Sequence, residues 1–131
     1  MPETKYTKEH EWIRLENGPA ESQTLGVVGI TDFAQEQLGD IVFVELPQVG
    51  RAVTKGEEVA VIESVKAASE FFVPVSGEII SINGSLSEEP SVINADPMET
   101  GWFLSLRLAD SSELENLMNE DTYNNFLKSL D

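Results

Sequence analysis

Lys66 is the only cationic side chain between Lys55 and Arg107, and it stands in the stretch Glu63-Ser64-Val65-Lys66-Ala67-Ala68-Ser69-Glu70, bracketed by two acids. Few other residues could carry covalent chemistry. The chain contains no cysteine and a single histidine, His10. Disulfides, thiolate metal sites, cysteine nucleophiles and cysteine redox couples are therefore excluded together. No histidine metal cluster can form, and a Ser-His-Asp triad would have to be built on His10. Read from spacing alone, Lys66 is a solvated charge that keeps a hairpin tip in water.

The elements that must position this lysine are mostly strands. Short β-type runs recur between Gly, Pro and Asn punctuation: Glu11 to Leu15, Leu25 to Ile30, Ile41 to Leu46, Glu58 to Ile62, Phe71 to Val75, Glu78 to Ile82 and Trp102 to Leu108. In the last, Trp102, Leu104, Leu106 and Leu108 alternate with Phe103, Ser105 and Arg107, the period of a strand buried on one face. Close spacing favours antiparallel sheets in a sandwich or flattened barrel. The runs before and after Lys66 place it at the tip of a hairpin spanning about 57–76.

Helices are few. Thr31 to Leu38 fits one short helix with Thr31 as N-cap, Asp32 in its first turn, Phe33 and Leu38 as apolar anchors and Gly39 as terminator. Over about 111–130, Ser112-x-x-Glu115 fits a capping box, and Tyr123, Phe126, Leu127 and Leu130 fall at helical spacing. Gly29, Gly39, Gly50 and Gly77 read as turn or bulge positions, and Asn94-Ala95-Asp96-Pro97 as a turn. A short internal repeat aligns Leu46-Pro47-x-x-Gly50-x-x-Val53 with Val73-Pro74-x-x-Gly77-x-x-Ile80. As a genuine repeat it implies two similar β-hairpin units about a pseudo-twofold, with the lysine segment as the crossover.

With 131 residues, the chain is sized for a single domain, 1–131. Eight Lys plus Arg against 24 Asp plus Glu give a net charge of -16. Such a field repels phosphate backbones and anionic lipid surfaces, so nucleic-acid and membrane partners are not expected, and partners with basic docking faces are. The longest apolar stretch, Leu25 to Ile30, is far short of the roughly 18 to 20 residues of a membrane helix. The N-terminus reads as neither signal nor transit peptide. That pattern leads us to expect a bacterial cytoplasmic protein, or a processed form in the mitochondrial matrix, and a monomer.

The octapeptide around Lys66 resembles the lipoyl-lysine signature of the glycine cleavage system H-protein family. Further similar blocks are Tyr6-Thr7-Lys8-Glu9-His10-Glu11-Trp12, the run from Val28 to Pro47, Pro74-Val75-Ser76-Gly77, and Asn94-Ala95-Asp96-Pro97 leading to Gly101-Trp102. Biotin carriers present Met-Lys-Met at the equivalent turn and 2-oxo acid dehydrogenase lipoyl domains usually Asp-Lys-Ala, so Val65-Lys66-Ala67 after Glu63 fits the H-protein family better.

The resemblance implies a lipoyl-domain fold of the barrel-sandwich hybrid type, and lipoic acid joined to Lys66 by an amide. Glu63, Val65 and Ala67 would then be read by the modifying enzyme, a lipoate ligase or a lipoyl/octanoyl transferase; His10 and Glu11 would border a cleft for the arm. It further implies a carrier, not an enzyme. The arm would take an aminomethyl group from a pyridoxal-phosphate glycine decarboxylase to a tetrahydrofolate-dependent aminomethyltransferase and be reoxidised by dihydrolipoyl dehydrogenase. Without cysteine the chain has no dithiol of its own, so redox chemistry must come from such a group. Two other readings stay open: an H-like protein that relays lipoyl groups to other lipoate-dependent complexes, and an acidic binding module with Lys66 unmodified. Met98-Glu99 departs from the family's usual aromatic residue followed by glycine, which bears on the loop near the expected cleft.

Overall fold

A computed structural model describes residues 4–17, 24–109 and 111–130. Among the described residues, nine strands form two open antiparallel sheets: β1 (Thr4–Tyr6), β2 (Glu11–Asn17), β3 (Thr24–Ile30), β4 (Ile41–Glu45), β5 (Ala52–Val53), β6 (Glu58–Ser64), β7 (Ala68–Phe72), β8 (Gly77–Ile82) and β9 (Leu104–Leu108). The larger sheet runs β1-β2-β3-β9-β8-β5 and the smaller β4-β6-β7. Neither closes, so of the two expected architectures the sandwich is the one adopted. The helices are α1 (Asp32–Leu38), α2 (Ser85–Glu88), α3 (Val92–Ala95) and α4 (Glu120–Ser129), with a 3-10 segment over Ser111–Asn116.

The core lies between the sheets, where Ile13, Val28, Ile62, Phe71, Ile79, Phe103, Leu104 and Leu106 are essentially inaccessible. Phe71 and Phe103 join the layers with ring centroids 4.8 Å apart. Phe103 corrects the expected alternation: β9 begins at Leu104, and the residue before it enters the core while Trp102 packs elsewhere. A second cluster of Tyr6, Trp12 and Tyr123, backed by Met98, Trp102 and Phe126, seats α4 on the edge of the larger sheet. Tyr6 and Tyr123 stack at 4.7 Å.

Several local expectations change. The 111–130 region is not one continuous helix, because Met118 is drawn into a two-bond bridge with Tyr6 (2.8 and 2.9 Å) that covers the edge of β1. The helix resumes behind Asn119, whose side chain accepts the Thr122 N–H at 2.8 Å. Ser112 and Glu115 thus fall in the 3-10 segment, and Leu130 caps α4 half-exposed instead of completing its apolar stripe. Asn94 and Ala95 belong to α3, with Asp96 at its end, where a turn was expected. Gly39 and Gly50 do have positive φ. Gly29 and Gly77 are strand residues that owe their lack of a side chain to crowding: a Cβ on Gly29 would meet the Trp12 indole at 2.9 Å, and one on Gly77 would enter the Arg107 carbonyl.

The two repeat segments do lie antiparallel against each other, with Gly50 N–H donating to the Ile79 carbonyl at 2.7 Å and Ala52 opposite Glu78. Their backbones differ at the aligned glycines, however, and the segment between them is the hairpin β6–β7 itself.

Candidate functional site

The hairpin that presents Lys66 is closed by its own sequence. Glu63 pairs with Ala68 and Ile62 with Ser69, which starts β7 three residues earlier than hydrophobicity suggests and leaves Val65 and Lys66 as the two central turn residues. Ser64 fixes them. Its N–H donates to the Ala67 carbonyl at 2.8 Å, and its hydroxyl accepts the Lys66 and Ala67 amides at 3.2 and 3.1 Å while donating to the Ala67 carbonyl at 3.1 Å. Short hydroxyl side chains stabilise turns in this way. Val65, Lys66, Ala67 and Ala68 are all exposed. Lys66 forms no ion pair or side-chain hydrogen bond among the described residues, so its amine is free to react.

A platform underlies the tip. Thr31 caps α1 by accepting the Ala34 N–H at 3.3 Å, and α1 ends at Gly39, whose φ of 79° lies in the region open to glycine. The Lys66 stem lies over this glycine; a Cβ there would stand 3.2 Å from Cε. The backbone N–H of Val65 donates to the Asp40 carbonyl at 3.0 Å, tying tip to platform. Asn94 braces the platform from below: its amide donates to the Gly39 carbonyl and to Gln35 Oε1, both at 2.9 Å, and its carbonyl oxygen accepts the Ile41 N–H at 2.9 Å.

His10 ends the turn between β1 and β2, and Glu11 opens β2. A cavity of about 180 Å³ separates this turn and α1 from the inner flank of the hairpin; His10, Glu11, Gln37, Leu38, Ser69 and Glu70 are among its walls. His10, with φ 67°, has its ring against Phe33, with centroids 4.4 Å apart, and its Nδ1 is 2.8 Å from the Tyr123 hydroxyl. That hydroxyl is also 2.8 Å from Thr31 Oγ1, which links α4 to the start of α1. Burial lowers the His10 pKa against the opposing pull of Glu9.

Glu11 is buried, and that burial pushes its carboxyl up to about 7. Hydrogen bonds donated by the Phe72 N–H (2.8 Å) and the Thr7 hydroxyl (3.2 Å) work in the other direction, and Glu9 adds to the rise. Met98 and Glu99 are not among the walls of this cavity. Met98 packs on the second cluster and Glu99 pairs with Arg14 at 3.3 Å, so the departure noted in sequence lies on another face.

The structure therefore brings Glu63, Val65, Lys66 and Ala67 together at one tip and places His10 and Glu11 beside the strand leading away from it. Sequence reasoning missed Ser64 as the turn's organiser and Asn94 as the brace. Ser64, three residues before Ala67, left a local signal, while the partners of Asn94 are more than fifty residues away.

The model of the glycine cleavage H-protein family matches residues 4–130. The chain is 55% identical over 130 residues to the glycine cleavage system H protein of Beijerinckia indica, covering 99% of this chain and all of that one. It is 48% identical over 122 residues to the H protein of Listeria monocytogenes, 93% of each. Among solved structures, the glycine cleavage system H protein of Mycobacterium marinum superposes with a TM-score of 0.85 at 36% identity, over 96% of this chain and 97% of that one. Sequence and fold agree along nearly the whole length, and this chain belongs to the glycine cleavage H-protein family.

Proposed function

We propose that this chain is the lipoyl carrier of a glycine cleavage system, with Lys66 as its acylated residue. The observation that carries the reading is the exposed Lys66 amine, unpaired among the described residues, on a turn locked by Ser64 and braced through Gly39 and Asn94. The residues present fit the group. The small side chains of Ala67 and Ala68 leave space at the tip for an enzyme's active site, and the free Nζ has a clear approach. In acylation, Nζ forms an amide bond to the carbonyl carbon of an activated lipoyl group and gives up a proton, while the bond to the adenylate or carrier thiol breaks and that leaving group takes the electron pair. A lipoate ligase or a lipoyl/octanoyl transferase supplies this step.

Once bound, the group supplies the dithiolane sulfurs that the chain lacks. The protein's own task is to hold the arm's root and shelter its reach. Ser64 and Asn94 fix the root. The cavity beside the hairpin, walled by His10, Glu11, Gln37 and Glu70, is a resting place along β7. Tethering keeps a carried group at high effective concentration for successive enzymes, here the glycine decarboxylase, the aminomethyltransferase and dihydrolipoyl dehydrogenase.

Intact mass after incubation with lipoic acid, ATP and a lipoate ligase tests the assignment. Wild type gains one lipoyl increment and Lys66→Ala gains none; an unshifted wild type, or a shifted Lys66→Ala, removes it. Glycine-dependent carbon dioxide release with the decarboxylase then tests the carrier role, and a loaded protein inert in that assay would move the function elsewhere.

A further inference from the structure

The outer face of the small sheet carries apolar surface that core packing does not explain. β4 is one of its two edge strands, and strict alternation from buried Ile41 would turn Val42 outward and Phe43 inward. Instead the register with β6 shifts between Ile41 and Phe43, and this bulge leaves Val42 (57%) and Phe43 (45%) both exposed before Val44 returns to the core. Bulges re-aim side chains in this way, and they spoil an edge for strand addition. Recognition at β4 therefore falls to its side chains.

Those side chains converge on the lysine. Phe43 lies opposite Glu63, and Glu63 opposite Ala68, which forms a cross-strand row directly below the turn. Val65, at the turn itself, is 66% exposed. Among the described residues, three of the five large hydrophobics left exposed thus gather around one hairpin tip, a grouping that marks contact surface where scattered single residues would not. The Val65–Asp40 backbone bond makes tip and patch one rigid unit. Asp40, Glu45, Glu63 and Glu70 are exposed around it, and Lys66 is the lone cation there.

We infer that Val42 and Phe43 on β4 extend the recognition of Glu63 and Val65 that the family resemblance implies, and with them form the docking surface for the enzyme that acylates Lys66. The inference rests on the function proposed above. The acylating enzyme must reach the amine at the end of a bare lysine, so its surface has to close over the turn and the row beneath. Enzymes that meet the loaded arm find their target at the end of a longer tether and can dock elsewhere. The acidic border requires a complementary surface: an apolar recess flanked by Arg or Lys beside the active-site mouth.

The test measures acylation of the unloaded protein by a purified lipoate ligase with lipoic acid and ATP, following intact mass against protein concentration. The double variant Val42→Thr/Phe43→Thr, which puts strand-favouring β-branched side chains at both positions, is expected to raise KM at least about tenfold while kcat changes far less. Glu63→Gln should raise KM and flatten its salt dependence. Lys66→Ala, which cannot be acylated, should compete with wild type, and lose that ability when it also carries the double change. Circular dichroism and Tm establish that the variants fold; if the double variant does not, Val65→Ser at the exposed turn serves in its place. Acylated wild type with an unchanged KM in the folded variant overturns the docking surface and leaves Lys66 intact, whereas unacylated wild type overturns the assignment of Lys66. Normal acylation with impaired glycine decarboxylation would hand the patch to the decarboxylase and also overturn the inference.

Discussion

Glu11 shows how far a single residue departs from what its type suggests. In sequence it is one acid of 24; in the fold it is buried, and its carboxyl holds the Phe72 N–H at the edge of the small sheet. The sign of its effect on stability follows from burial. Because its pKa is raised from 4.5 to about 7, the folded protein keeps a proton in that window which the unfolded chain has released. Stability therefore falls as pH rises from about 4.5 to 7 and levels off above, a loss of order 3 kcal/mol from this group. Glu11→Gln retains an acceptor for the Phe72 amide without the charge. Urea unfolding at a series of pH values should show a correspondingly flatter profile for this variant; a slope equal to that of wild type would place the pH dependence on other groups.

At the scale of elements, the hairpin is locally encoded and its support is not. Ser64, the two-residue turn and the small residues after Lys66 lie within one octapeptide, so a hairpin tip at Lys66 was legible. The platform below needs α1, α3 and β4 at once. Asn94→Ala removes three hydrogen bonds and leaves the Gly39 carbonyl and the Ile41 amide without their side-chain partner. It should cost about 2 kcal/mol by chemical denaturation. Hydrogen exchange of the Ile41 and Val65 amides should accelerate beyond the global change, while Leu104 in β9 should not; uniform acceleration would mean that Asn94 acts on the whole core. Boundaries were misread where another element intervened: Tyr6 draws Met118 out of the expected helix, and the Glu63–Ala68 pairing moves the start of β7.

For the whole molecule, charge is the dominant fact. All three arginines are engaged with acids, Arg14 with Glu99 at 3.3 Å, Arg51 with Glu57 at 2.5 Å and Arg107 with Glu78 at 2.8 Å, and with eight cations against 24 acids in the sequence the negative charge stays largely uncompensated. The carrier role proposed above requires encounters with successive enzymes that are quick and weak, and a strongly acidic surface would supply them wherever a partner presents a basic docking face. Raising salt from roughly 50 to 300 mM should therefore weaken association with the glycine decarboxylase several-fold, read as Kd or as the concentration for half-maximal turnover. Salt-independent association would assign docking to apolar contacts instead.

Residue types and short spacings dictate the antiparallel sheets of short strands, the Thr31-capped helix, the lysine tip and the exclusion of thiol chemistry. These depend on residue type and on spacings shorter than one element, where alternation, capping and turn chemistry act. Long-range packing alone sets the open sandwich over the closed barrel, the brace of Asn94 on Gly39, the link of Tyr123 from His10 to Thr31, the burial of Glu11, and the bulge that turns Phe43 outward beside Glu63. Each of these depends on backbone groups and side chains distant in the chain meeting at hydrogen-bonding distance or sharing a ladder, and only packing of the two sheets and their helices sets which ones meet.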